Sequence, residues 1–98
     1  MLKIIKITGE SLSPKYQTGD YVLLATNIRP RRLRSDDVIV FQHEIYGQMI
    51  KRVERISPDS AQIFVTGTHP HSIDSATFGP ISPTSLIGKV IWHIRKPR

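Results

Sequence analysis

Two residues able to do chemistry stand in unusual settings in this 98-residue chain. Ser11 lies in "GESLSP", between Gly9 and Pro14, and "GD" at 19–20 then opens an apolar run. Gly, Ser and Pro are ordinary turn residues, so a hairpin connection is one reading; a hydroxyl presented on a tight turn is the other. Lys51 lies in "GQMIKRVERIS", which reads as a strand. Side chains alternate along a strand, so Lys51 shares its face with Met49 and Val53, while Arg52 shares the other with Ile50 and Glu54. Arg52 thus has a carboxylate two residues away, and Lys51 has apolar neighbours. Burial among apolar groups strips the charged amine of its hydration and lowers its pKa, and a neutral lysine is a base. A lysine that snorkels to water is the alternative. A third stretch, "VTGTHPHSIDSATFGPIS" at 65–82, gathers small, hydroxyl and turn residues into one loop, longer than a generic hairpin requires.

The elements that must position these residues are mostly strands. "LKIIKIT" (2–8), "DYVLLAT" (20–26), "DVIVFQ" (37–42), "GQMIKRVERIS" (47–57), "AQIFVTG" (61–67) and "LIGKVIWHI" (86–94) are rich in β-branched or aromatic residues. Clusters of Gly, Pro, Ser and Asp bound them. One short helix is expected at "SPTSLI", with Ser82 as N-cap and Pro83 at the first helical position. The pattern predicts an all-β fold, a small β-barrel or sandwich-like sheet with at most one short helix. It forms a single domain over 1–98, with no internal repeat.

Composition narrows the function classes. Charged residues sum to 14 − 8 = +6, and the absence of cysteine excludes disulfides, thiolate metal sites and cysteine nucleophiles. The longest apolar stretch, about "YVLLA", is far short of a bilayer span, and the N-terminus lacks the apolar length and cleavage site of a secretory signal. A cytoplasmic protein is the expectation, with peripheral membrane contact left open. Arg29, Arg31, Arg32 and Arg34 in "NIRPRRLRSDD" and the end "IRKPR" concentrate positive charge on a surface loop or edge and on a tail. No helix-turn-helix, zinc-finger or aromatic RNA-binding signature accompanies them, so nucleic acid is not the expected partner. His69 and His71 in "THPHS", with His43 and His93 elsewhere, raise a metal site, but no carboxylate or cysteine set at zinc-like spacing joins them, and no metal or cofactor is expected.

Taken in order, Ser11 in "GESLSP", the "GD" at 19–20, Lys51 in "IKRV" and the stretch 67–80 resemble the boxes of the type I signal peptidase family, the serine–lysine peptidases. Those boxes are G-x-S-M-x-P, G-D-x-V, a lysine in a K-R-V strand, and G-D-N…S-x-D-S-R-x-F-G-P. The likeness covers essentially the whole chain. Within the family, size and the ending "GKVIWHIRKPR" make it most similar to the small soluble proteases that mature nickel-containing superoxide dismutase. The resemblance implies a signal-peptidase-like or self-cleaving-repressor-like coiled sheet. It implies Ser11 as nucleophile and Lys51 as general base, the lysine then passing its proton to the leaving amine. Ser72 matches the serine that orients the lysine, and the Ser11 N–H would contribute to the oxyanion hole. Some members add a hydroxyl two residues before the nucleophile, where this chain has Gly9. Asp74 and Ser75, with Phe78, Gly79 and Pro80, match the segment that supports the site, and Pro14 fixes the chain after the nucleophile by locking φ near −65°.

The chain departs from the pattern at three places. Leu12 replaces methionine, a swap of similar volume. Thr68–His69 replace Asp–Asn, so their polar contacts must be lost or remade. Ala76 replaces arginine, which removes the local cation of Asp74 and leaves another arginine to substitute. The expected activity is removal of a leader from a precursor protein, a nickel superoxide dismutase precursor being the first candidate; any nickel belongs to that substrate. A self-cleaving repressor-type protease shares the serine, the G-D and the lysine but normally carries a DNA-binding domain in front. Ten residues precede Ser11, and the F-G-P box also argues against it. A weak or inactive homologue, binding an acidic partner, nucleic acid or anionic membrane through its basic loop, is the alternative from another class.

Overall fold

The six runs rich in β-branched and aromatic residues become strands in the computed structural model, which describes residues 1–8, 15–67 and 73–97. They are β1 (Leu2–Lys6), β2 (Tyr21–Ala25), β3 (Val38–His43), β4 (Gly47–Ile56), β5 (Ile63–Thr66) and β6 (Leu86–Ile94). All pair antiparallel in one open sheet of order β1-β2-β6-β3-β4-β5. The expected all-β, coiled-sheet class is therefore the observed one. No helix among the described residues is long and apolar enough to cross a membrane.

Alternation along the strands builds a core on each face of the sheet. One face carries Ile7, Val22, Leu24, Val40 and Ile50, with Tyr16 packed against them. The other carries Ile39, Phe41, Val53, Ile63 and Val65, covered by Leu33 and Ile81 from the connections. Register shifts at Leu23/Leu24, Val40/Phe41 and Val53/Arg55 interrupt the ladders. Such bulges increase local twist and let one sheet coil rather than lie flat. The coil needs a close approach at Gly88, where a Cβ would lie 2.8 Å from the Ala25 carbonyl oxygen and 3.0 Å from Leu24 Cβ.

The helical elements differ from expectation. "SPTSLI" forms only a 3-10 turn, Pro83–Ser85, with the Ser82 side chain accepting from the Thr84 N–H as an N-cap should. Leu86 is already extended and begins β6, because its backbone is needed beside β3. The α-helix stands instead at Ser75–Phe78 (α1), inside the stretch expected to be loop, with Asp74 as N-cap and Gly79 at φ 81° as its end. The basic stretch also contains a 3-10 turn, Pro30–Arg32. Its buried Leu33 anchors the turn, and all four arginines point to solvent.

The free side of β5 is closed by these same segments. Ile63 and Ile81 exchange both backbone hydrogen bonds (3.0 and 2.8 Å), and the Val65 N–H donates to Ser75 Oγ at 2.8 Å. Replacing Gly88 by alanine is expected to cost about 1–3 kcal/mol by forcing β6 away from β2. Chemical denaturation of Gly88→Ala beside the parent chain measures it.

Candidate active site

Lys51 sits at the centre of β4, opposite Ile39 of β3 and on the face of Val53. Only 1% of it is exposed. The alternation argument therefore holds, and the lysine does not snorkel. Desolvation by burial pulls its pKa below the ordinary 10.5, and the nearby Asp74 carboxylate partly opposes that fall. Arg52 points to the other face, but its ion pair is with Asp36 at 3.5 Å rather than with Glu54, which is exposed. The turn entering β3 supplies the closer carboxylate: the Asp36 N–H donates to the Val53 carbonyl at 2.8 Å.

Asp74 and Ser75 work as a bracket. Asp74 Oδ1 accepts from the Ala76 N–H at 3.0 Å, and Oδ2 accepts from the Gly67 N–H and the Thr66 hydroxyl, each at 3.3 Å. The expected replacement of the missing cation by another arginine is not what the structure shows: backbone N–H groups and a hydroxyl hold this carboxylate, with the Lys51 amine as its charged neighbour. Ser75 ties α1 to the edge of β5 through Val65. Phe78 presses the helix onto the sheet, its ring 6.4 Å from that of Phe41 and 4.7 Å from that of His43. Ser72 lies outside the described residues, as do His69 and His71, but the two ends of their segment, Gly67 and Asp74, are joined directly.

Ser11, Gly9 and Pro14 also lie outside the described residues. The base of their loop is defined. The Ile7 N–H donates to the Asp20 carbonyl at 2.7 Å and the Gly19 N–H to the Ile7 carbonyl at 3.0 Å, which carries the β1–β2 ladder past Lys6. Gly19 has φ 95°, a conformation that favours glycine. The fully buried Asp20 carboxylate accepts from the Gln17 N–H (3.2 Å) and the Lys96 N–H (2.9 Å) and meets His93 Nε2 at 2.8 Å. Tyr16 stacks on the His93 ring at 4.3 Å. The "GD" pair is thus a clamp that fixes the turn before β2 to the residues after β6. Sequence reasoning noticed the motif without its partner: Asp20 and His93 are 73 residues apart, and no local pattern links them.

One further feature was not legible. Ile5, Lys6, Ile7 and Thr8, which lead into the Ser11 segment, line a shallow groove whose opposite wall is Val40 of β3 with Gln48, Met49 and Ile50, the residues before Lys51 on β4. β5 pairs only with Arg52–Ile56, so along Gly47–Lys51 no described strand other than β3 is paired with β4. The groove therefore lies between β1 and the adjoining part of β3 and β4.

His43 Nδ1 accepts from the N–H groups of Ile45 and Tyr46, so this histidine shapes a turn. Among the described residues no three His, Asp or Glu side chains gather as a metal site would require.

A family model described as Peptidase S24-like matches residues 1–91. A search of curated proteins finds no match.

Two outcomes follow from the setting of Lys51. A lowered native pKa means that the folded chain binds fewer protons than the unfolded chain between the two pKa values. Stability therefore rises with pH through that window, and the full penalty applies below it. Lys51→Met, close in volume, is expected to melt at a higher temperature than the parent at neutral pH, by circular dichroism. Asp74→Asn keeps the capping acceptor but removes the negative neighbour, so the lysine's titration, followed by NMR, should move to lower pH. A midpoint that stays still or rises would show that the carboxylate does not act on the amine.

Proposed function

The chain belongs to the Peptidase S24-like family, and from that premise we propose that it is a serine endopeptidase working through a Ser11–Lys51 dyad. The family match carries the reading as far as a serine peptidase or a self-cleaving fold; the dyad and its substrate are our reading. The observation that supports it most is Lys51, a lysine almost wholly out of water in mid-strand with its pKa lowered by burial.

In this mechanism an extended peptide lies along the groove as an added strand, held by backbone hydrogen bonds to strand margins. The neutral Lys51 amine takes the proton of the Ser11 hydroxyl as its oxygen attacks the scissile carbonyl. The resulting oxyanion is met by backbone N–H donors, that of Ser11 among them; each such donor is typically worth about 10²–10³ in rate. The lysine ammonium then protonates the leaving amine, and water, deprotonated by the same lysine, hydrolyses the acyl-enzyme. Ser72 orients the amine, and Asp74 and Ser75 hold the segment that carries it. The reaction requires no cofactor. We further propose that the substrate is a protein precursor losing a leader, with a nickel superoxide dismutase precursor as the first to try, on the resemblance of size and C-terminal sequence.

The exposed Arg29, Arg31, Arg32 and Arg34 favour a second reading, an inactive homologue that binds an acidic partner through this turn. One experiment separates the two. Precursor proteins from the same cell are incubated with the parent chain and with Ser11→Ala, and new N-termini are read by mass spectrometry. The peptidase reading expects termini made by the parent only, with a loss of about 10⁴-fold or more in the variant, and a rate that climbs with pH as Lys51 loses its proton. Identical results from two folded proteins would overturn it.

A further inference from the structure

The connection between β2 and β3 fixes four arginines in place without using any of them. The Arg32 N–H donates to the Arg29 carbonyl at 2.9 Å and the Leu33 N–H to the Pro30 carbonyl at 3.0 Å. A second turn follows, with the Asp37 N–H donating to the Arg34 carbonyl at 3.1 Å. Leu33 between them is 5% exposed and packs in the cluster of Ile39 and Val53, while Arg29, Arg31, Arg32 and Arg34 are all exposed. The two carboxylates of the same stretch are already engaged. Asp36 meets Arg52 at 3.5 Å, and Asp37 meets Lys89 at 3.4 Å and accepts from the Arg34 N–H at 2.9 Å. Among the described residues no ion pair includes any of the four arginines. A buried leucine and a hydrogen-bonded backbone thus hold a strong positive field on one small area, which attracts anionic partners.

Position and composition select the partner. The Asp36 N–H donates to the Val53 carbonyl at 2.8 Å and the Val53 N–H to the Asp37 carbonyl at 2.7 Å. Val53 is two residues from Lys51, about 7 Å along a strand, and Ile39, two residues beyond Asp37, stands opposite Lys51. The arginine turn therefore adjoins the wall that keeps the lysine dry. A nucleic acid finds no aromatic ring between Ile28 and Asp37 to stack on. A bilayer finds no apolar side chain there to take up, since Leu33 is buried and Ile28 packs against the same cluster. A carboxylate needs neither, because a planar guanidinium offers it two parallel N–H groups. We propose that Arg29, Arg31, Arg32 and Arg34 form a docking surface for an acidic polypeptide segment. On the peptidase reading, on which this assignment rests, the segment belongs to the substrate and tethers it beside Lys51.

Binding is measured on full-length Ser11→Ala, where no cleavage intrudes, by fluorescence anisotropy of a labelled peptide that alternates glutamate and glycine. The expected result is saturable binding, with backbone amide NMR shifts centred on residues 29–37. Binding should weaken from about 0.1 M to about 1 M salt as the Debye length falls from about 10 Å to about 3 Å. Adding Arg29→Gln, Arg31→Gln, Arg32→Gln and Arg34→Gln changes only exposed positions. Once its fold is confirmed by circular dichroism, this variant should bind about tenfold or more weakly. Lys3→Gln with Arg95→Gln removes two exposed cations elsewhere and should leave the affinity as it was. If the parent chain cleaves a precursor, the four arginine substitutions should raise KM and leave kcat unchanged. If it cleaves none while the peptide still binds at 29–37, the peptidase reading fails and the docking surface stands. No binding, equal binding of a glutamine–glycine peptide, the same loss in both sets of variants, or an unchanged KM would each overturn the proposal. So would tighter binding of a single-stranded oligonucleotide of equal charge or of phosphatidylglycerol vesicles, by pointing to nucleic acid or membrane instead.

Discussion

An amine held out of water in the middle of a β-strand is the constraint on which the rest of this structure depends. An exposed lysine is protonated at neutral pH, so the base role proposed for Lys51 depends on the burial that lowers its pKa. That arrangement works against stability, because the unfolded chain carries the same amine fully hydrated and charged. The fold meets the cost with its two apolar clusters, built from strands that bury one residue in two. Asp74 tempers the desolvation without cancelling it. It is itself held by backbone N–H groups and the Thr66 hydroxyl, so its charge does not require a salt bridge that would neutralise the lysine's surroundings.

Around this amine the chain secures the bases of two segments, those that hold Ser11 and Ser72. Ile7, Gly19 and Asp20 join the ends of the Ser11 loop, and Gly67 and Asp74 join the ends of the Ser72 loop. The buried Asp20–His93 contact extends the first clamp to the end of β6, with the Tyr16 ring stacked on that of His93. At both places a carboxylate also accepts from backbone N–H donors, Asp20 from Gln17 and Lys96 and Asp74 from Gly67 and Ala76. A short side chain with two acceptor oxygens thereby sets loop geometry more tightly than an apolar contact could.

The uneven covering of the sheet gives the molecule two different halves. Over β3–β5, the 3-10 turns, α1 and Leu33 complete a dry core beside the lysine. Over β1, β2 and β6 the side chains of Leu2, Ile4, Tyr21, Trp92 and Ile94 stay exposed.

What the sequence determined by itself was local. Six β-rich runs bounded by turn residues became six strands, their ends coinciding or differing by no more than two residues. The alternation of "MIKRV" placed Lys51 inward with Val53, because a strand's side-chain period is two whatever the fold. Hydroxyl, carboxylate and glycine at 74–79 could have announced α1 through its N-cap and its positive-φ end; four residues are too few for a periodic apolar pattern to reveal. What only the tertiary structure decided was non-local: Arg52 meeting Asp36 instead of Glu54, Asp20 meeting His93, Asp74 exchanging an arginine for backbone donors, and the groove between β1 and β4. None of these could be read along the chain. Each depends on strand order, and order is set by which distant faces bury each other, a property of the packed sheet and not of any stretch of residues.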